Sequence, residues 1–149
     1  MLSSIITALV VSLVVVIVGI VGYYMGTGRM PGAKLIQQAP PIETGTIDEG
    51  QANFMFFHAD WCPHCVQAEP KWASFKQMVQ NSKYTYGNHR ITFEDISDTN
   101  KGKVALYQIK GFPTFKVQTK DKLFEMATVP SVENFRAFLT EALGAEKGA

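Results

Sequence analysis

Two cysteines separated by two residues are the strongest chemical signal in this 149-residue chain. Cys62 and Cys65 stand in the sequence Trp-Cys-Pro-His-Cys, residues 61–65, and the chain has no other cysteine. A thiol pair at this spacing can close a small disulfide ring, and such a pair beside a β-α unit is typical of thiol–disulfide exchange. We therefore expect redox chemistry at Cys62 and Cys65, which needs neither a metal nor a bound organic cofactor.

The residues around the pair indicate why a thiol would be reactive there. Residues 53–58 are an apolar, aromatic run that predicts a buried strand, and apolar residues at steps of three and four from Cys65 onward predict a helix. The unpaired N–H groups and partial positive charge of a helix N-terminus stabilise a thiolate. Pro63 suits the first helical turn, and protonated His64 adds positive charge near Cys62. This predicts an oxidising disulfide, with Cys62 at the helix start and Cys65 more buried.

Two other uses of the cysteines stay open. The pair could be a permanent disulfide or two inert core thiols, although a bridge across so short a loop adds little stability. A zinc site would need both cysteines and two of the three histidines, His58, His64 and His89, and their spacing matches no usual four-ligand pattern. The sequence favours redox chemistry over both alternatives.

The chain beyond the first helix alternates between strand and helix patterns. Residues 91–96 and 114–118 alternate like strands, and residues 104–107 suggest a short helix. Residues 123–126 follow a turn as another strand, and Ser131 is a good N-cap for a last amphipathic helix. The order β-α-β-α-β-β-α predicts an α/β fold with a central mixed sheet and flanking helices.

Residues 53–143 resemble the thioredoxin superfamily. The matching features are Trp-Cys-x-x-Cys at residues 61–65, Pro70 five residues after the second cysteine, Gly-Phe-Pro-Thr at residues 111–114, and the order of elements. The resemblance implies a thioredoxin-like fold in which the peptide bond before Pro113 is cis and this proline faces the redox cysteines. It also implies that Pro70 kinks the first helix.

The Cys-Pro-His-Cys tetrapeptide is similar to that of bacterial periplasmic thiol oxidants, whereas protein disulfide isomerases have glycine at the position of Pro63. The interval between Asn88 and Pro113 leaves no room for the helical domain inserted in those oxidants. The resemblance implies a membrane-tethered thiol–disulfide oxidoreductase of the disulfide isomerase or oxidase type. It would oxidise, isomerise or reduce protein thiols and disulfides, in exchange with a redox partner protein. A tethered reductant for cytochrome maturation, and a structural or adaptor component of a membrane or virion assembly, are the alternatives.

The resemblance assigns roles to residues beside the catalytic set Cys62, Cys65 and His64. Trp61, Phe112 and Pro113 would form an apolar lip that accepts the substrate. The backbone of Phe112 could hydrogen-bond an extended peptide, as in strand addition.

One position departs from the family pattern. Family members usually carry a buried Asp or Glu six residues before the first cysteine, where it helps to move the proton of the second cysteine. Here that position is Phe56. His58 and Glu94 are therefore the candidate proton relay for Cys65, and the competing interpretation is a packing histidine and a surface carboxylate.

Charge divides the chain into two parts. All charged residues, 14 Lys+Arg and 13 Asp+Glu, lie at or after Arg29, and residues 5–25 are an almost uninterrupted apolar run. A helix of this length reaches about 30 Å, the thickness of a bilayer core. We therefore expect residues 1–28 to be a retained transmembrane anchor in contact with lipid. A cleaved signal peptide is the alternative, but it would have a basic start and a shorter apolar run.

The remaining boundaries follow from composition. Residues 29–50 are rich in Pro, Gly, Gln and Thr, which predicts a linker, although part of it could add an edge strand or short helix to the domain. Residues 51–145 are then the thioredoxin-like domain, and residues 146–149 are a tail.

The sequence constrains the localisation and the partners of the protein less than it constrains the fold. An oxidising thiol pair belongs in the periplasm, the endoplasmic reticulum lumen or a surface, whereas Arg29 and Lys34 after the apolar run favour a cytosolic domain. The virion membrane of a large DNA virus with its own thiol-oxidation system would satisfy both, with the domain facing the cytosol or capsid. The net charge of +1 predicts no nucleic-acid partner, and Lys101, Lys103 and Lys110 are expected to form a solvated face.

Overall fold

The apolar run forms one helix. In this computed structural model the described residues are 2–27, 36–39, 42 and 47–148, and the chain divides into two compact units between Lys34 and Leu35. The first unit contains α1, Leu2–Thr27. Within it the 19 residues Ile5–Tyr23 are apolar and unburied, which is long and apolar enough to cross a membrane. The predicted N-terminal apolar helix is confirmed at this level.

The second unit is built on a mixed sheet to which the described residues contribute seven strands. In chain order the strands are β1 Ile36–Ala39, β2 Gln51–His58, β3 Thr85–Tyr86, β4 His89–Ser97, β5 Thr114–Gln118, β6 Leu123–Met126 and β7 Glu146–Lys147. The order across the sheet is β1-β6-β5-β2-β4-β3-β7. The pair β2–β4 at its centre is parallel and the other strand pairs are antiparallel.

Helices cover both faces of this sheet, as predicted. Two of them, α2 Pro63–Ser82 and α4 Val132–Leu143, pack on one face, and the short α3, Lys101–Leu106, lies toward the other. The central strand β2 is buried on both sides because it contributes to two apolar clusters. Phe54 and Phe56 belong to the cluster with α2 and α4, and Met55 and Phe57 belong to the cluster on the α3 side.

Most predicted elements are confirmed with small changes in their bounds. The strands predicted at residues 114–118 and 123–126 have those bounds. Ser131 caps α4, since its hydroxyl accepts a hydrogen bond of 3.1 Å from the backbone N–H of Asn134. Pro70 lies inside α2, where the resemblance placed it.

Two short edge strands lie in the segments predicted as a linker, residues 29–50, and a tail, residues 146–149; an edge strand within residues 29–50 is one of the two interpretations that the sequence left open. Strand β1 lies within the linker segment and pairs with β6, and β7 lies within the tail and pairs with β3. Strands of four and two residues are too short to show periodicity, and both are held by pairing with a distant strand. The compact unit therefore begins before residue 51, at Leu35.

Candidate active site

Cys62 and Cys65 lie where β2 passes into α2. Cys62 is the N-cap residue of α2, and its sulfur accepts a hydrogen bond of 3.2 Å from the backbone N–H of Cys65. The two residues form a disulfide, with their Cα atoms 5.3 Å apart. Because Cys62 Sγ lies at the positive end of α2, a thiolate formed there would be stabilised by the helix N-terminus. The predicted position of Cys62 at the helix start is confirmed.

Both cysteines are buried to the same extent. Cys62 is 3% exposed and Cys65 is 2% exposed, so the expected difference in their burial is not found. The loop before β5 explains this, because Cys62 Sγ lies 3.5 Å from the carbonyl oxygen of Phe112. The Phe112–Pro113 peptide bond is cis, as the resemblance implied. The loop therefore covers Cys62 on the side of the Phe112 carbonyl.

Trp61 and Phe112 meet at the surface above the pair. Their rings are perpendicular, with centroids 6.1 Å apart, and Trp61 is 71% exposed. The indole N–H of Trp61 donates a 3.1 Å hydrogen bond to Asp98 Oδ2, which fixes the position of this exposed ring. Phe112 and Pro113 are half-buried beside them. The structure thus brings the three predicted lip residues to the cysteines.

Asp98 was missed by the sequence reasoning, although a signal for it existed. It directly follows β4, which is parallel to β2, so the carboxyl ends of both strands meet at one edge of the sheet. Its backbone N–H donates to the carbonyl of His58, at the end of β2, over 2.8 Å. A polar residue placed just after a strand that pairs in parallel with the motif strand is therefore expected near the motif.

The two histidines near the pair differ in environment. His64 is exposed on the first turn of α2. His58 is half-buried at the end of β2, on the same face as Phe56, and the two ring centroids are 5.1 Å apart. Phe56 belongs to the apolar cluster that contains both cysteines. His58 is thus on the cysteine side of the sheet.

The position that usually carries a buried acid is occupied by a tightly packed ring. Phe56 is 1% exposed and stacks on Phe115, with centroids 4.7 Å apart and planes 3° from parallel. Its partner across the β2–β4 pair is Asp95. The Asp95 carboxylate accepts hydrogen bonds from the indole N–H of Trp72, at 2.5 Å, and from the Lys76 ammonium, at 2.8 Å. The acid on this face is therefore already engaged by α2.

Glu94 is not brought to the cysteines, so its prediction as a proton relay is wrong. Its register partner is Met55, which belongs to the cluster on the α3 face. Its carboxylate accepts a 3.0 Å hydrogen bond from Asn53 and pairs with Lys103 of α3. Successive strand residues point to opposite faces, so Asp95 faces α2 and Glu94 does not.

The part of the chain that the structure describes contains no group of three or more His, Cys, Asp or Glu side chains arranged to hold a metal ion. The chemistry that this site can perform with its own atoms is cleavage and formation of the Cys62–Cys65 bond. The bond lies at a helix N-terminus, under an apolar lip, with a peptide carbonyl beside the first sulfur.

The sequence of the chain is similar to those of known proteins with the same kind of domain. The Thioredoxin family model matches residues 46–141. The chain is 32% identical to mouse protein disulfide-isomerase A6 over 79 residues, which are 53% of this chain and 17% of that protein. It is 30% identical to a thioredoxin domain-containing protein of Theileria parva over 93 residues, 62% of this chain and 36% of that protein. The chain thus spans a minor part of these relatives' length.

Solved structures show the same fold. Thioredoxin-2, a component of the malaria parasite's protein secretion machinery, superposes with a TM-score of 0.54 at 16% identity, covering 72% of this chain and 99% of that chain. Fasciola hepatica thioredoxin superposes with a TM-score of 0.50 at 19% identity, covering 62% of this chain and 81% of that chain. The predicted α/β fold of this class is confirmed.

Proposed function

Because this chain belongs to the thioredoxin family, we propose that it is a membrane-tethered thiol–disulfide oxidoreductase that acts on protein substrates through Cys62 and Cys65. It has a redox domain of this family with a cysteine pair that forms a disulfide. The observation that carries the proposal is the position of that disulfide at the N-cap of α2, beside the Phe112 carbonyl.

Oxidation of a substrate would proceed in two exchange steps. A substrate thiolate attacks Cys62 Sγ, the Cys62–Cys65 bond breaks, and Cys65 leaves as a thiolate that takes up a proton. A second substrate thiolate then attacks the substrate sulfur of the mixed disulfide, and Cys62 leaves as a thiolate. Two electrons pass from the substrate to the pair. The helix N-terminus favours the Cys62 thiolate, and protonated His64 on the first turn would add to this effect.

The lip would position an extended substrate. The exposed ring of Trp61 and the ring of Phe112 offer apolar surface. The Phe112 carbonyl lies 3.5 Å from Cys62 Sγ, so a peptide hydrogen-bonded to the Phe112 backbone would carry its cysteine past the attacked sulfur. Protein thiols and disulfides are therefore the proposed substrates, with a separate protein as redox partner.

His58 would handle the proton of Cys65. Phe56 carries no ionisable group, Asp95 is bound by Trp72 and Lys76, and Glu94 faces the opposite side of the sheet. His58 is the half-buried ionisable side chain on the cysteine side of β2. A His58→Phe variant should change the pH dependence of the step in which Cys65 is released. A rate lowered equally at every pH would indicate a packing role instead.

A trapping experiment tests the central proposal. In the Cys65→Ser variant a mixed disulfide between Cys62 and a substrate cannot be resolved, so covalent complexes should accumulate with an oxidised protein such as insulin. The matched Cys62→Ser variant retains the other thiol and should form few complexes, because Cys65 lies one turn inside α2. Equal trapping by both variants, or none by either, would contradict the proposed roles.

The direction of electron flow depends on the reduction potential of the Cys62–Cys65 pair. The oxidant or isomerase interpretation predicts a Cys62–Cys65 reduction potential well above that of thioredoxin, which is about −270 mV. Equilibration of the pair with glutathione buffers measures it. A value near that of thioredoxin would favour the tethered reductant, such as one that serves cytochrome maturation.

The membrane role rests on α1. The apolar length of Ile5–Tyr23 and the absence of charged residues before Arg29 support a retained single-pass anchor. We place the redox domain on an oxidising side, with a viral membrane facing the cytosol or capsid as the alternative. Protease protection of the domain in sealed vesicles distinguishes these orientations. A mature protein that begins after α1 would identify α1 as a signal peptide.

Phe56 favours one further candidate, a structural or adaptor role with little turnover. The resemblance implies a buried acid as the proton carrier at this position, and here the ring of Phe56 stacks on Phe115 instead. In that case both insulin reduction and thiol oxidation would be absent, while the domain remained folded with its disulfide intact.

A further inference from the structure

The sheet face opposite the cysteines contains a groove with a buried lysine. The groove has a volume of about 510 Å³ and is lined by β1, β5, β6, Ile42 and residues 106–111, which are the last residue of α3 and the segment after it. Lys116, in the middle of β5, lines it and is 4% exposed. Volumes of this size are typical of sites for small molecules.

The register of the sheet directs Lys116 into this groove. Phe115 and Val117, its neighbours in β5, belong to the cluster under α2 and α4, so Lys116 points to the other face. Its partner in β6 is Glu125, and the Lys116 ammonium lies 2.7 Å from the Glu125 carboxylate. The Glu125 side chain is 41% exposed, whereas that of Lys116 is 5% exposed. The side chain of Glu125 is thus partly exposed, whereas that of Lys116 is buried.

The polar groups beside Lys116 have partners of different kinds. Gln118, two residues along β5, uses both ends of its amide within the protein, because Tyr107 donates to its Oε1 at 2.6 Å and its Nε2 donates to the Ile42 carbonyl at 2.5 Å. The Lys116 ammonium has three N–H donors, and among the described residues its partner is Glu125. A second carboxylate in the groove could therefore accept from the same ammonium, in a charge-assisted hydrogen bond.

The charges and surface of the groove define what it can bind. Its charged lining is Lys116, Lys110 and Glu125, which leaves one net positive charge. We propose that the groove binds a small organic monoanion, with its carboxylate on Lys116 and an apolar body against the aliphatic wall. This proposal does not depend on the redox role. The aliphatic wall consists of Ala39, Ile42, Leu106, Ile109 and Leu123.

Benzoate and benzamide test the proposal on the full-length protein in phospholipid nanodiscs, because they share a shape and differ in charge. Ligand-observed NMR titration should show saturable binding of benzoate and none of benzamide over the same concentrations. Equal binding of both probes, or no saturable binding of benzoate, would overturn the proposal. Empty nanodiscs correct for partition of the probes into lipid.

Substitutions of charged residues test whether benzoate binds in the groove. Lys116→Met removes the charge with similar bulk and should weaken benzoate binding at least tenfold, while Lys122→Met, at an exposed lysine outside the groove, should leave it unchanged. Should Lys116→Met fail to fold, Glu125→Gln provides the second test, because it removes the competing carboxylate and should tighten benzoate binding several-fold. Unchanged or weaker binding by folded Glu125→Gln, or equal affinities of the two lysine variants, would refute the site.

Discussion

The hydrogen bond between Trp61 and Asp98 gives the sharpest prediction about the lip. Asp98→Ala removes the acceptor of the 3.1 Å bond from the indole N–H, and Trp61→Phe removes its donor. Hydrogen bonds to charged groups contribute about 1.5–3 kcal/mol, and we take about 1 kcal/mol because this one lies at an exposed site. If the bond holds Trp61 in its substrate-accepting position, its loss should lower kcat/KM for a protein substrate about fivefold.

The assay compares two substrates. Oxidation of a reduced, unfolded protein should slow in both variants, whereas exchange with dithiothreitol should not, because this small thiol does not need the lip. The double variant should be no slower than either single variant, since one bond is removed in every case. Asp60→Ala, which changes a neighbouring exposed carboxylate, is the matched control. Equal slowing of both substrates, or multiplicative effects in the double variant, would refute this reasoning.

Three further variants test the architecture by urea denaturation. Glu146→Gln should lower the free energy of unfolding by about 2 kcal/mol, because the Glu146 carboxylate accepts from buried Tyr86 and from Arg136. The hydrogen bond from Arg136 lowers the pKa of Glu146. The difference in unfolding free energy between the wild type and Glu146→Gln should therefore have its full size above the ordinary glutamate pKa. It should disappear as the pH falls through the lowered pKa of Glu146. Ser131→Ala should cost about 1 kcal/mol through loss of the α4 N-cap, and Ser131→Thr should retain most of it. Phe56→Asp should cost at least about 3 kcal/mol, whereas Phe56→Leu should cost much less.

The elements that could be predicted are those with long or regular apolar patterns. The run at residues 53–58 identified β2, and the stripe that includes Trp72 and Phe75 identified α2, because both patterns reflect burial in one core. The edge strands β1 and β7 carry no such pattern. Their positions depend on pairing with β6 and β3, which lie far away in sequence.

The site could be predicted where chemistry and local structure coincide. Cys62 at a strand-to-helix junction was identifiable because the helix N-terminus and the disulfide spacing involve neighbouring residues. The cis bond at Pro113 followed from resemblance alone, since the sequence by itself favours the trans form of any X-Pro bond. The position of Asp98 just after β4 indicates that it lies near the motif, because β4 pairs in parallel with β2, but its hydrogen bond to Trp61 depends on side-chain geometry that sequence spacing does not encode.

The case of Glu94 shows how one residue of register decides a functional assignment. Glu94 and Asp95 are consecutive carboxylates on β4, and either could have faced the cysteines. The pairing of Phe56 with Asp95 places Asp95 on that face, and Trp72 and Lys76 then bind its carboxylate. The aromatic stack of Phe56 therefore has an acid beside it that is held by α2. This leaves His58, at the end of β2, as the group whose substitution can test how Cys65 gains its proton.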